Sequence, residues 1–391
     1  MTTTALVLGA GMMGTAIAFD LARRDGIGKV LLADRDRRRA EDAAAGIRSA
    51  RVEPLQLDAT APRAVREAMN GCSVAVSAVP YFLNNALAVE AVEAGVHFCD
   101  LGGNNAVVAA ELALHERATD AGITVVPDCG LAPGLASILA AGAVEQLDVA
   151  DDVRLRVGGL PQHPHPPLDY QIVFSPYGLI NEYAEPALIR RDGEVVEVAP
   201  LTEVEPISFA APYRALEAFH TSGGSSTLVH TLPPSVRELD YKTVRYPGHA
   251  RIARALLDLG FFDKGPIAVG DVEISPRELT AALFTDRLSF GESDVVLLRV
   301  VATGSVGGRR CAVRYELVDQ ADPATGLSAM MRCTGFPAAE IAFLLATGVI
   351  DAPGAQPQER IVPVERFVAD LRIAGLAIDH GIDELPPAEA S

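Results

Sequence analysis

Lysine is nearly missing from this chain: Lys29, Lys242 and Lys264 stand against thirty arginines. The shortage reads as a coding bias, yet it makes each lysine conspicuous. Positive charge as a whole is scarce, with 33 Lys+Arg against 51 Asp+Glu and a net charge of −18. A field of that sign repels phosphate backbones and anionic bilayers, so neither nucleic acid nor a membrane is an expected partner. Cysteines are few and scattered: Cys72, Cys99, Cys129, Cys311 and Cys333 form no CxxC pair, which suits reduced thiols better than disulfides or zinc. The N-terminal MTTTALVLGAG has no basic segment ahead of an apolar stretch and no small-residue cleavage site, and no run of about 18 uncharged apolar residues follows, so a cytoplasmic protein is expected. Aromatics make up only 5%, but hydrophobic residues reach 49% and charged ones 21%, ample for a core and unlike a disordered chain. At 391 residues, two domains are expected, with room for a small third lobe.

The first 130 residues alternate apolar runs with amphipathic stretches. Strands are expected at 5–9, 29–34, 52–57, 74–78, 96–100 and 123–127, and helices at 15–24, 37–49, 62–69, 84–94 and 105–121, with Gly26, Gly95 and Gly122 where helices stop. That beat predicts an α/β fold with a doubly wound parallel sheet of Rossmann type. From Val153 the pattern changes to alternating strands such as 153–157 and 295–302, punctuated by Pro and Gly, which predicts an α+β domain on a mainly antiparallel sheet. Helical patterning returns at 336–346 and 364–374. The expected division is therefore a discontinuous dinucleotide-binding domain, 1–135 and 328–391, around a substrate-binding and dimerisation domain, 136–327. Residues 162–167 and the acidic end after Asp379 read as exposed loops.

Gly9, Gly11 and Gly14 form a GxGxxG motif between an apolar strand and a helix, with Met12 and Met13 at the helix start. Gly9 permits the tight turn, Gly11 lets backbone approach a pyrophosphate, and Gly14 packs the helix closely, while the first-turn N–H groups and the helix dipole face the anion. Asp34, twenty residues past Gly14 at the end of strand two, is placed to accept hydrogen bonds from ribose hydroxyls and to repel a 2′-phosphate, which favours NAD. Arg35, with Arg37 to Arg39 nearby, keeps NADP as the lesser alternative. Asp58 after strand three is either an adenine contact or a helix N-cap. Ser77, Val79 and Pro80 leave strand four and Gly130 follows strand six, where the nicotinamide half of such a cofactor belongs.

Further strings extend along the chain: VSAVPY at 76–81, CDLGGN at 99–104, PDCGLAPG at 127–134, GGLP at 158–161, FSP at 174–176, TSGGSSTL at 221–228, KTVRYPGH at 242–249 and TGFPAA at 334–339. Together they resemble the saccharopine dehydrogenase-like family and, within it, the NAD-dependent L-lysine 6-dehydrogenases. The resemblance implies oxidation of a C–N bond on an amino-acid chain: the side-chain amine of lysine loses hydride, water releases ammonia, and the aldehyde cyclises with the α-amine. It also suggests a homodimer.

Such chemistry needs a base for the ammonium and a cation for the α-carboxylate. Asp100, at the end of strand five, matches an acidic position of the family and is the first acid–base candidate, with a helix cap as its plainer role. Tyr81 sits on the same rim, as a substrate contact or as packing. Arg245 is the candidate carboxylate clamp, against a structural ion pair in a strand. Lys242, if buried near that clamp, would become a usable base. Thr221 and His249 are further pocket candidates. His163 and His165 alternate in a Pro-rich stretch without a third ligand, so no metal is expected, and Cys129 reads as a small buried residue. Two rival functions stand beside lysine oxidation. One is NAD(P)-linked saccharopine or carboxyspermidine-type chemistry on a secondary amine, whose second carboxylate would need a cation that the 219–228 stretch does not offer. The other is a nucleotide-binding regulator without turnover.

Overall fold

A computed structural model of the chain describes residues 3–386. The chain divides into two units, Met1–Gly142 with Met331–Leu376, and Ala143–Met330 with Ala377–Ser391.

In the first unit, β1 (Thr3–Leu8), α1 (Met12–Leu21), β2 (Ile27–Asp34), α2 (Arg37–Ile47), β3 (Val52–Gln56), α3 (Pro62–Met69), β4 (Val74–Ser77), α4 (Asn84–Ala94) and β5 (His97–Asp100) follow the expected alternation. The helix expected at 105–121 is two, α5 (Asn105–Leu112) and α6 (His115–Asp120). After β6 (Thr124–Val126) comes α7 (Leu135–Glu145). The strands are all parallel, and β1 lies between β2 and β4, so chain order reverses there. Residues Ala5, Leu6, Val7 and Leu8 of β1 and Val74, Ala75 and Val76 of β4 are buried, as strands covered by helices on both faces must be. Leu6, Ala75, Phe98 and Val125 share one side of the core with Leu87 and Ala91 of α4.

The second unit holds β7 (Val149–Pro161), α8 (Pro176–Ala184), β8 (Ala187–Arg191), β9 (Glu194–Val198), β10 (Glu205–Ile207), β11 (Leu216–His220), α9 (Leu228–Thr231), β12 (Glu238–Arg245), α10 (His249–Asp258), the hairpin β13 (Ile267–Val269) and β14 (Val272–Ile274), α11 (Pro276–Arg287), β15 (Asp294–Val306) and β16 (Arg309–Gln320). Its nine-stranded sheet is antiparallel except where β12 runs parallel to β7. The chain then returns to the first unit with α12 (Ala329–Ala346), β17 (Gly354–Ala355), α13 (Gln358–Ile361) and α14 (Val364–Ile373). β17 adds a seventh parallel strand beside β6, which the two-residue GA segment gave no pattern to foresee.

The structure moves the expected domain limits. The divisions fall at 142/143 and 330/331, inside α7 and α12, rather than at 135/136 and 327/328. The acidic tail, expected as a loop, forms β18 (Asp379–Glu384), antiparallel to β16, and so leaves the dinucleotide unit. Polar side chains mark a solvated strand as readily as a loop, and pairing with the open edge of β16 decides between them.

Candidate active site

The turn from β1 into α1 has the backbone a phosphate cradle requires. Gly9 has φ +102°, and a Cβ there would stand 2.7 Å from the carbonyl oxygen of Ala78. A Cβ on Gly14 would overlap the carbonyl oxygen of Gly9. Gly11, the N-cap of α1, has ordinary extended backbone, and a Cβ there would meet nothing within 4 Å. Its glycine therefore serves no internal packing and leaves the backbone open to an incoming group. The first-turn amides of Met12, Met13 and Gly14 have no partner within the helix, and Met12 is exposed. Asp34 closes the cradle: Oδ2 accepts from the N–H of Ala10 at 3.0 Å and Oδ1 from that of Asp36 at 2.9 Å. The carboxylate is thereby aimed along the edge with lone pairs to spare. These residues fit a dinucleotide, with the pyrophosphate on α1 and the ribose on Asp34.

Arg35 is exposed beside Asp34, and its charge reaches Asp58. Asp58 is not the N-cap of α3, which is Ala61; its carboxylate accepts from the N–H and Oγ1 of Thr60. Those bonds hold the exposed carboxyl below its usual range.

At the ends of β4 and β5 the side chains turn inward. Ser77 is buried and its hydroxyl donates to Asn84 Oδ1 at 2.7 Å, which removes it as a free cofactor contact. Val79 is half-buried and Pro80 exposed. Tyr81 begins a short 3₁₀ turn, Tyr81–Leu83, and its ring lies against Gly103, where a Cβ would approach within 3.0 Å. Asp100 is wholly enclosed. Its Oδ1 accepts from the N–H of Gly102 at 2.6 Å and of Asp128 at 3.4 Å, and its side chain bonds that of Glu111. The helix cap at this point is Asn104, not Asp100. Burial raises the Asp100 carboxyl and, with the charge of Asp100, pushes Glu111 up to about 11. A carboxyl closed in this way is a structural group in this conformation rather than the open acid–base group expected of it. Cys129 is equally buried, its thiol pushed well up by burial and by Cys99, which leaves it protonated. Gly130 lies in the folded turn 130–134, its carbonyl accepting from Leu135.

In the second unit, strand parity separates the two expected cations. Side chains alternate along β12, so Asp240, Lys242 and Val244 share one face and Tyr241, Thr243 and Arg245 the other. Lys242 is buried and donates to Glu205 Oε2 and to the carbonyl of Glu203, both at 2.8 Å. Arg156 donates to Asp240 and to Glu205, each at 2.6 Å, and Arg154 stands 3.0 Å from Asp240. Lys242 is thus committed to an ion network away from Arg245, which contradicts its expected role as a base beside the clamp.

The opposite face gathers the remaining candidates. Thr221 and Thr243 share a hydrogen bond of 2.6 Å. The buried Arg245 donates from Nη1 to its neighbour's carbonyl and from Nε to the hydroxyl of Tyr183 at 3.3 Å, and its guanidinium lies 4.6 Å from the Tyr170 ring centroid. Among the described residues, the carboxylate nearest its Nη2 is Glu182 Oε2, at 3.7 Å, beyond hydrogen-bond reach. The Tyr183 hydroxyl is 2.8 Å from His249 Nε2, and His249 Nδ1 is 2.9 Å from the carbonyl of Leu168. The carbonyl can only accept, so the proton is on Nδ1 and Nε2 accepts from Tyr183. Burial and the charge of Arg245 hold His249 down to about 3, so the ring is neutral and both nitrogens are occupied. His249 orients Tyr183 rather than meeting a ligand.

Sequence reasoning missed Glu182, one residue before Tyr183 on α8. Its Oε2 is enclosed without a hydrogen-bond partner among the described residues, while about a quarter of the side chain, 27%, reaches solvent. Burial pushes this carboxyl up to about 7 against the opposing pull of Arg245. Arg277 was missed as well: it is buried, donates to Asn181 Oδ1, and its Nη1 has no partner among the described residues. Neither lay in a legible motif; only the helical neighbourhood of 181–183 links them. His163 and His165 both stand by Glu292, at 3.3 and 3.2 Å, in the loop where they were expected.

Comparison with known proteins places this geometry. Residues 5–126 match the saccharopine dehydrogenase NADP binding domain and residues 130–376 the saccharopine dehydrogenase C-terminal domain. Saccharopine dehydrogenase [NADP(+), L-glutamate-forming] of Pyricularia oryzae is 26% identical over 269 residues, covering 66% of this chain and 58% of the fungal protein. The chain therefore spans little more than half of that relative. Carboxyaminopropylagmatine dehydrogenase of Synechocystis is 23% identical over 95% of this chain and 96% of its own length. Among solved structures, apo saccharopine dehydrogenase (L-Glu forming) from Saccharomyces cerevisiae superposes with a TM-score of 0.78 at 20% identity, over 98% of this chain and all of that one. Homospermidine synthase from Legionella pneumophila, in complex with NAD, does so at 0.67 and 13% identity, over all of this chain and 94% of that one. With a matched C-terminal domain that alone spans more than half of its length, the chain belongs to the saccharopine dehydrogenase family.

Proposed function

We propose that the chain is an NAD-dependent dehydrogenase that oxidises the side-chain amine of L-lysine, or of a close diamino acid, to an imine that water hydrolyses with release of ammonia. The observation carrying this reading is the pairing of Arg245 on β12, with a donor not used by any described residue, and Glu182 on α8, with a carboxyl poised near neutrality. A nicotinamide dinucleotide, when bound, supplies the hydride acceptor. Arg245 Nη2 is suited to bind the α-carboxylate. An ammonium must lose a proton before hydride can leave its carbon, and a carboxylate with a pKa near 7 is a competent acceptor. Glu182 thus takes the base role that Asp100 held on sequence grounds. Asp34, anchored by two N–H groups, supports NAD over NADP.

The test is the pH profile of kcat/KM for lysine. It should rise through about 7 in the wild type, and Glu182→Gln should remove that rise and lower the plateau by about a hundredfold or more. An unchanged profile in the variant would remove Glu182 from the chemistry.

A second reading, oxidation of a secondary amine joining two amino-acid pieces as in saccharopine or carboxyspermidine-type substrates, is favoured by Arg277. Its unpartnered Nη1 is the extra cation that a second carboxylate needs, supplied from α11 rather than from the 219–228 stretch.

A further inference from the structure

The enclosed acids at the ends of β5 and β6 are not explained by the reading above. Asp100 and Glu111 have no exposed surface, and Asp128 only 1%. With both acids ionised, neither oxygen of Glu111 has a hydrogen-bond donor among the described residues, and Asp100 is left with its two backbone N–H groups and Asn84. The groups facing the pair are Asn84 from α4 and Asp128 from the turn after β6, and neither acid is drawn to a cation. Cys129, which feels Asp100 and Asp128, adds a protonated thiol. Two contiguous buried carboxyls cannot both be ionised, and with one proton between them each gains a partner. Asp100 is the member that keeps the charge, because its Oδ1 already accepts two backbone N–H bonds, from Gly102 and Asp128. Those two amides belong to different turns, 101–104 after β5 and 127–130 after β6. The turns also need each other's shape: a Cβ on Gly102 would overlap the Asp128 carboxylate.

We propose that Glu111 is a positioning residue: the proton it shares with Asp100 holds that carboxylate on both turns and makes them one rigid edge at the C-terminal ends of β5 and β6. In a parallel sheet of this strand order, that edge borders the second half of a bound dinucleotide, so the proposal rests on the cofactor reading for its consequence but not for the shared proton itself.

The experiment compares wild type, Glu111→Gln and Glu111→Leu for Tm and for NADH affinity by fluorescence titration, from about pH 6 to about pH 10. Gln carries an N–H that can donate to Asp100 at every pH, whereas Leu has none. In the unfolded chain a glutamate releases its proton near its ordinary value, while the folded pair retains one, so stability from this group is present at low pH and drains away as pH rises. Wild-type Tm should therefore fall with rising pH more steeply than that of Glu111→Gln. NADH affinity should stay within about threefold of wild type in Glu111→Gln and weaken by about tenfold or more in Glu111→Leu. Superimposable Tm profiles for wild type and Glu111→Gln would overturn the shared proton. Wild-type NADH affinity in Glu111→Leu would overturn the positioning role. Should Glu111→Leu fail to fold, the Gln comparison decides; should no form bind NADH, the cofactor reading fails and the Tm profiles still test the pair.

Discussion

Replacing Gly11 and Gly14 separately by alanine should divide binding from stability within one four-residue stretch. At Gly14 the new methyl would overlap the carbonyl oxygen of Gly9, so α1 must retreat from the sheet by more than about 1 Å or the turn must open. The helix cannot do so freely, since Ala16, Ile17, Ala18 and Leu21 are all buried. Overpacking of this kind costs about 1–3 kcal/mol, partly offset by up to about 1 kcal/mol from the better helix propensity of alanine. A net loss of about 1–2 kcal/mol in a unit of this size should lower Tm by roughly 2–8 °C. At Gly11 the methyl meets nothing within 4 Å and the backbone is already ordinary, so stability should change by less than about 1 kcal/mol, the usual range for an N-cap exchange. Binding should reverse that order of severity. A methyl between backbone and pyrophosphate removes a charge-assisted hydrogen bond of about 1.5–3 kcal/mol, a loss of about ten- to hundredfold in affinity. Differential scanning fluorimetry and NADH titration read the two effects. Wild-type affinity in Gly11→Ala would refute the placement of the pyrophosphate, and wild-type Tm in Gly14→Ala would refute the packing argument.

Asp34→Ala should shift the ratio of kcat/KM for NAD over NADP toward NADP by about tenfold or more, and an unchanged ratio would reject Asp34 as the ribose acceptor. Lys242→Met should destabilise by about 1–3 kcal/mol, because Glu205 keeps a partly open environment, while kcat changes little; a large loss of kcat at wild-type Tm would restore Lys242 to the chemistry. Asp240 and Glu205 lie below the usual carboxylate range because Arg156, Arg154 and Lys242 oppose the cost of burial. Their contribution is present above the unfolded carboxylate range and is lost on acidification, so Lys242→Met should show a shallower acid loss of Tm than wild type. Arg245→Ala should raise KM for lysine far more than for cadaverine, which lacks a carboxylate, and equal losses on both would remove Arg245 as the clamp.

The parallel sheet was legible because most of its first six strands are short apolar runs, the mixed VEPLQ of β3 being the exception, and helices between them carry a start or a stop: Pro62 at the first turn of α3, Gly95 in the left-handed C-cap of α4. The cradle was legible for the same reason, as a local motif whose spacing is set by backbone geometry. Lys242 and Arg245 are separable from the sequence alone, since residues three apart on a strand face opposite ways, and the KTVR string is therefore two faces rather than one site. Glu111, Glu182 and Arg277 were beyond reach, because each acquires its character from burial against residues distant in sequence. Glu111 reads as one polar position on a helix that is apolar after Asn105, and only the enclosure of Asp100 beside it makes it unusual. The tail strand was hidden by its charge, and its pairing with β16 is a property of the sheet edge rather than of the sequence DHGIDE.

The central claim, NAD-linked oxidation of an amino-acid side-chain amine, is tested most directly by initial rates of NADH and NADPH formation with L-lysine, L-ornithine, saccharopine and carboxynorspermidine, with ammonia assayed in parallel. The account predicts NADH formation with lysine, or with ornithine as a close homologue, and one ammonia released per NADH; turnover confined to the two secondary amines without ammonia, or no turnover with any of the four, would contradict it.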